Sequence, residues 1–271
     1  MTGEGMTLFF TFKLKNLLIA LAIVVLAAVL LLTLSGRRGK TAASNAAGFQ
    51  TAELTPAGSA APTAPAVSAA AGEPVPKTAR TLIIDAGHGG ADGGSSSATQ
   101  VEADINLDIA LRMRAIAGLF GVAPVMTRES ADIAYPDSAK TIRAKKVADQ
   151  KQRVALINGT PDALLISIHQ NTFPSSSIVR GIQVFYAKTA GSEEFASALQ
   201  EALRVSLDTG NRRVAMPIGG DIYLMKNVTC PAVLVECGFL SNPEDDAALA
   251  TDTYRLKIAA VLWNTYLQCD S

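Results

Sequence analysis

The chain contains two histidines, His88 and His169, and both follow short apolar runs that read as buried strands. The first run is TLIID, Thr81 to Asp85, with a glycine-rich loop behind it that places His88 at the strand's carboxyl end. The second is ALLISI, Ala163 to Ile168, with His169 directly after it. A third apolar run, AVLV from Ala232 to Val235, ends in Glu236, and Glu102 opens the helix that follows the His88 loop. Two imidazoles and one carboxylate suit Zn²⁺ and leave a fourth position for water, the pattern of catalytic zinc sites. A bare glutamate at a buried strand's end is costly unless it faces a cleft, where it can serve as a general base. In open α/β sheets that carboxyl edge is where ligands sit.

Taken singly, each residue has a plainer structural account. A histidine can be satisfied within a core, Glu102 can favour a helix amino terminus, and Glu236 can pair with an arginine. What favours a shared centre is coincidence, because the two histidines and an unpaired glutamate end three different core strands. The loop glycines Gly87, Gly89 and Gly93 approach a dinucleotide fingerprint. The helix starts too late to cap a pyrophosphate, however, and no acidic residue ends the second strand.

The elements that must position these residues alternate between strand and helix. Helices are expected over Val101 to about Phe120, over TIRAKKVADQKQRVALIN to Asn158, and over Ser192 to Leu207 with Ser192 as its N-cap. A pair of helices follows Asn242–Pro243. Short strands are expected at Pro124 to Thr127, Gly181 to Ala187 and Ile222 to Met225. The pattern predicts a three-layer α/β/α domain over residues 80–271. The strand order is not contained in it.

Composition excludes other classes. Lys+Arg and Asp+Glu both number 24, so no basic field points to nucleic acid. Cys230, Cys237 and Cys269 lack zinc-finger or CxxC spacing. Seven extended residues span roughly 23 Å, so Cys230 and Cys237 cannot bridge along one strand. They read as buried thiols, with one pair involving Cys269 the alternative. Residues 1–40 read as a membrane anchor. Leu17 to Leu34 is apolar apart from Thr33 and flanked by Lys13, Lys15, Arg37, Arg38 and Lys40. Roughly 18 such residues approach a bilayer's span, with a cleaved signal peptide the alternative. Residues 41–79, rich in Ala, Pro, Ser and Gly, read as a disordered linker with a reach of about 35 Å.

The blocks IDAGHGGADGG, VEADINLDIA, SIHQN and AVLVECGFLSN, in this order, resemble the signatures of the zinc-dependent N-acetylmuramoyl-L-alanine amidases, the family-three cell-wall amidases. The resemblance implies an α/β fold with a mixed twisted sheet. It also implies hydrolysis of the amide between N-acetylmuramic acid and the first L-alanine of the peptidoglycan stem. By motif, His88, Glu102 and His169 match the zinc ligands, Glu236 the catalytic glutamate, and Arg153 and Asn158 a structural block. MTRESADIAY and RAKKVADQKQRVALIN resemble the CwlD-type amidases, membrane-anchored enzymes that act in forming the muramic-δ-lactam of the spore cortex. Ala86, Ala103 and Gln170 depart from the usual proline, lysine and apolar residue.

From this resemblance the expected partners are peptidoglycan, the membrane through the N-terminal helix, and an activating protein. The catalytic domain is expected on the extracytoplasmic side of a single-pass anchor. Arg212 and Arg213 are candidates to bind stem-peptide carboxylates. The interval between His169 and Glu236 holds no surplus for a segment covering the metal, so an open site is expected. Two other readings are a zinc peptidase cutting within the stem and an inert tethered wall-binding protein.

Overall fold

A computed structural model describes residues 80–269. The expected anchor over 1–40 and linker over 41–79 lie outside the described residues. Among the described residues no helix is long and apolar enough to cross a membrane. The strands are β1 (Thr81–Ala86), β2 (Val125–Met126), β3 (Ala163–Asn171), β4 (Gln183–Tyr186), β5 (Met216–Pro217) and β6 (Ala232–Phe239). The helices are α1 (Glu102–Leu119), α2 (Ile142–Asn158), α3 (Ser192–Leu207), α4 (Tyr223–Asn227), α5 (Pro243–Leu249) and α6 (Asp252–Cys269). One sheet runs in the order β2-β1-β3-β6-β4-β5. It is mixed, because β4 pairs antiparallel with β6 while the other pairs are parallel.

Strand periodicity sorts the core into two layers. Leu82, Ile84, Leu164, Ile166, Ile168, Val233 and Val235 point to one face. There they pack against Ile105, Ile109 and Met113 of α1, Phe195 and Leu199 of α3, and Ile258 and Leu262 of α6. The alternate residues Ile83, Leu165 and Leu234 point to the other face, against Ile157 of α2 and Leu224 and Met225 of α4. Helices thus cover both faces, giving the three layers. The second face is the one that, two residues further along each strand, carries Asp85, Ser167 and then His169 or Glu236.

Two expectations are corrected. Ile222 to Met225 is not a strand: Tyr223–Asn227 is a five-residue helix. A four-residue apolar run cannot tell strand from helix, and one helical turn is enough to bury Leu224 and Met225. Ser192 does not cap α3. Gly191 holds the N-cap position at φ +81°, and the Ser192 hydroxyl instead accepts the Ala232 N–H at 2.9 Å. That bond docks the start of α3 on the start of β6. The two-residue strand β5 had no alternating pattern to reveal it. Cys230 and Cys237 are free thiols, Cys237 buried and Cys230 intermediate, and Cys269 is exposed.

A buried ion pair ties β1 to α2. Arg153 Nη1 lies 2.7 Å from Asp85 Oδ1, with both side chains at 2 % exposure or less. Arg153 also donates to Asp149 and to the carbonyls of Ala86 and His88. Asp85 accepts further bonds from Thr127 and Ser167. Burial pushes the Asp85 carboxyl up, but Arg153, then Ser167, His169 and Thr127, outweigh it and hold the group below its ordinary 3.8. A depressed carboxylate stabilises the fold at every pH above its unfolded value and loses that contribution as pH falls through the folded value. Asp85→Asn should therefore cost about 3–5 kcal/mol near neutrality, the order expected for a broken buried pair. The gap from the wild type should hold down to about pH 4 and narrow below it. Denaturant unfolding across pH measures this, and a gap that widens on acidification would contradict it.

Candidate active site

The carboxyl edges of β1, β3 and β6 meet because these strands are parallel neighbours. His169 lies in register with Glu236 across the β3–β6 pair. Gly87, just past β1, hydrogen-bonds through its N–H to Ile168 O at 3.0 Å, which draws the His88 loop beside His169. The loop then supplies the amino terminus of α1. Ser95 O accepts the Glu102 N–H at 2.9 Å and Gly93 O accepts the Ala103 N–H at 3.1 Å. These carbonyls satisfy helix donors that Val101, with no side-chain cap, leaves open. Glu102 is thereby fixed under the loop at 2 % exposure.

Around Glu102 the donors converge. His88 Nε2 is 3.3 Å and His169 Nδ1 is 3.0 Å from Glu102 Oε1. The imidazole rings stand 5.0 Å apart, edge to face at 74°. One donor atom from each of the three residues falls within 4.8 Å of the others. Burial opposes the charge on Glu102, but His169 and His88 outweigh it and hold the carboxyl far below its usual range. The other oxygen, Oε2, accepts the Ser95 N–H at 2.7 Å.

Two glycines keep this centre clear. A Cβ on Gly87 would overlap the His169 ring. A Cβ on Gly94, whose φ is +70°, would overlap Glu102 Oε2 and His88 Cδ2. Ionised carboxylate and imidazole nitrogens directed at one point fit zinc by donor type and number.

Glu236 lines the same cavity of about 450 Å³, with Lys146, Val147 and Gln150 of α2 and Asp221 to Leu224 on the far walls. Its Oε2 is buried without a hydrogen-bond partner. Burial pushes its pKa up to about 7; His169 opposes this and Glu102 adds to it. A carboxyl poised there suits proton transfer near neutral pH. The His88 and His169 side chains retain 17 % and 19 % exposure, so the cavity opens onto both. Asn171, Thr172 and the 221–224 segment border the cavity, and the two imidazoles stay accessible.

The structure thus brings together His88, Glu102, His169 and Glu236. It does not bring Arg212 and Arg213 to them. These line a separate depression with Arg180, Asp208 and Asn211. There Arg213 sits 5.3 Å over the Phe239 ring and donates to Arg180 O.

Sequence reasoning missed the residues that support the donors. Asn106 is fully buried, donates to Gly87 O at 3.1 Å, and accepts from Gln170 Nε2 at 3.1 Å. It therefore ties the residue before His88 to the residue after His169. Its spacing from Glu102, one helical turn, placed a polar residue on the buried face of α1 and was the available signal. Arg128 donates to the carbonyls of Ala86, Gly87 and Ala103, joining the end of β1 to the start of α1.

A mostly parallel sheet with two imidazoles and a carboxylate at its carboxyl edge, beside a buried glutamate, defines a candidate metal-assisted hydrolase. Residues 82–265 match the N-acetylmuramoyl-L-alanine amidase family. The chain belongs to that family, and its activity is that of a cell-wall amidase. It is 38 % identical over 194 residues to the germination-specific N-acetylmuramoyl-L-alanine amidase of Bacillus subtilis, a match covering 72 % of this chain and 81 % of the relative. Its fold is similar to that of the CwlD amidase from Clostridioides difficile, solved in complex with the GerS lipoprotein. That match has a TM-score of 0.66 and 37 % identity, and covers 70 % of this chain and all of the other. The amidase AmiC2 of Nostoc punctiforme is similar at TM-score 0.59 and 25 % identity, over 70 % of this chain and 96 % of that one.

The overlap at Gly87 gives a test of the site's geometry. Gly87→Ala should push the His169 ring out of the donor cluster while leaving the sheet folded. Imidazole NMR signals report the ring, and unchanged His169 shifts in a folded variant would refute the constraint.

Proposed function

We propose that the enzyme hydrolyses the amide joining N-acetylmuramic acid to the first L-alanine of the peptidoglycan stem, with zinc held by His88, Glu102 and His169. The observation that carries this reading is the unpartnered, buried Glu236 Oε2 in the cavity onto which the three donors open. A buried polar atom without a partner costs about 1–3 kcal/mol, so a catalytic use is the economical reason to keep it.

Zinc, when bound, supplies Lewis acidity, polarising a carbonyl oxygen and lowering the pKa of water toward about 7. Glu236 takes a proton from the attacking water as the new C–O bond forms on the lactyl carbonyl. It delivers that proton to the alanine nitrogen as the C–N bond breaks, so the peptide leaves as an amine. Glu102 stays ionised throughout, held by its two imidazole neighbours and the Ser95 N–H. The cavity walls on α2 and α4 leave the centre open along one side, as a polymeric substrate requires.

The physiological setting is proposed from the relatives. The germination-specific name of the Bacillus subtilis relative supports a role in the spore cortex, at the step that exposes muramic acid for δ-lactam formation. The lipoprotein in the Clostridioides difficile complex supports an extracytoplasmic lipoprotein partner for this chain. Anchoring by residues 17–34, with the catalytic domain facing the wall, rests on their apolar run and basic flanks.

Mass spectrometry of purified peptidoglycan after digestion should show free stem peptides beginning with L-alanine and glycan strands stripped of peptide. Cuts inside the stem would replace this reading with that of a peptidase. The protein should bind about one zinc per chain, and His88→Ala should lose tight binding on metal analysis. Glu236→Gln keeps shape and zinc but removes the base, so kcat should fall roughly a hundredfold or more. Near-normal turnover at full zinc occupancy would overturn that role.

A further inference from the structure

His88 is held in an unusual way. Its backbone sits at φ +59°, in the left-handed region that a residue with a side chain rarely occupies. The loop then doubles back, with the Gly89 N–H donating to Asp92 O at 2.7 Å and the Asp92 N–H to Gly89 O at 3.0 Å. This reversal returns the Asp92 carboxylate onto the ring four residues earlier, with Oδ2 2.9 Å from His88 Nδ1. Asp92 Oδ1 accepts the Gly94 N–H at 3.3 Å, which fixes the carboxylate's tilt. The same Oδ2 lies 2.9 Å from Lys146 Nζ on α2. A chain of three groups therefore runs from a helix on the cavity wall, through Asp92, to a donor of the candidate centre.

The chemistry of imidazole gives this chain a purpose. A neutral ring carries its proton on one nitrogen and offers a lone pair on the other. An ionised carboxylate only accepts, so Asp92 requires the proton on Nδ1 and leaves Nε2 free to donate to a metal. Nε2 is the atom that faces Glu102 Oε1. His169 is arranged the other way round: its Nδ1 faces Glu102, and its Nε2 edge rests against Gly87. Only His88, among the two, has a carboxylate behind it.

We infer that Asp92 is a positioning residue that fixes the tautomer and orientation of His88 as a zinc donor, and that Lys146 holds Asp92 in place. The inference rests on the zinc reading of the site proposed above. Were the Lys146–Asp92 contact no more than a surface ion pair, it would matter little, since Lys146 is half exposed and such pairs are screened. What separates the two accounts is metal affinity in a folded protein.

Zinc affinity of the full-length protein, read by competition with a chelating dye, gives the test, with thermal unfolding as the check on folding. Asp92→Ala should unfold near the wild-type temperature yet bind zinc roughly 10- to 100-fold more weakly, the range seen for lost partners of metal-bound histidines. Asp92→Leu, close in size and without an acceptor, reads the same effect if the alanine variant does not fold. Lys146→Met should weaken zinc by a smaller factor that shrinks as salt is raised, and Lys146→Arg should restore it. Wild-type affinity in a folded Asp92→Ala or Asp92→Leu protein overturns this inference alone. Failure of the wild type to bind zinc would instead overturn the proposed function.

Discussion

The buried pair of Asp85 and Arg153 is the constraint on which the active-site end of this sheet depends. A segment leaving a parallel strand carries carbonyls with no further strand to receive them, and here they must stay dry beneath the His88 loop. Arg153 answers the carbonyls of Ala86 and His88 from the α2 side. Arg128 answers those of Ala86, Gly87 and Ala103 from the other. Two guanidiniums this close repel. Burial first, and then the Arg153 charge, push the pKa of Arg128 down to about 10, which still leaves it cationic at neutral pH. Asp85 and Asp149 are what make the arrangement tolerable, so the pair is better understood as a device for holding a loop than as a source of net stability.

Strand parity then decides which side chains can meet. Residues two apart share a face, so the same alternation that packs Leu165 and Leu234 on α2 and α4 delivers His169 and Glu236 to the cavity. A slip of one residue in β6 would turn Glu236 into the apolar layer and Cys237 into the cavity. The buried Val233 and Val235 on the opposite face set the cost of such a slip, and hence the fidelity of the site.

The cluster was legible in the sequence because polar groups stand where packing would put apolar ones. His169 and Glu236 each follow an apolar run directly, His88 sits in the glycine-rich loop behind another, and Glu102 opens a helix whose period is plain. The three layers followed from alternating strand and helix patterns. Where signals were short, reading failed: Tyr223–Asn227 has too few residues for either period, and Met216–Pro217 has none. Ser192 carried the expected capping chemistry but spent it on Ala232, a choice set by tertiary packing. Asp92 and Lys146 could not be connected in advance, because their contact depends on a loop reversal and on where α2 lies against the sheet. Arg212 and Arg213 could not be placed in advance either, and they line a depression apart from the His88, Glu102 and His169 cluster.

The two edges of the sheet have a bearing on how the protein behaves at high concentration. Both outermost strands are two residues long, and proline sits at each: Pro124 immediately before β2 and Pro217 within β5. A foreign strand docking there would find too few free backbone groups in line, and at Pro217 no N–H to bond. The hydrogen-bonding interior is long where it is enclosed and short where it is bare. Such a sheet resists growing by recruitment of neighbouring chains, so copies held close together have little means of zipping into aggregates.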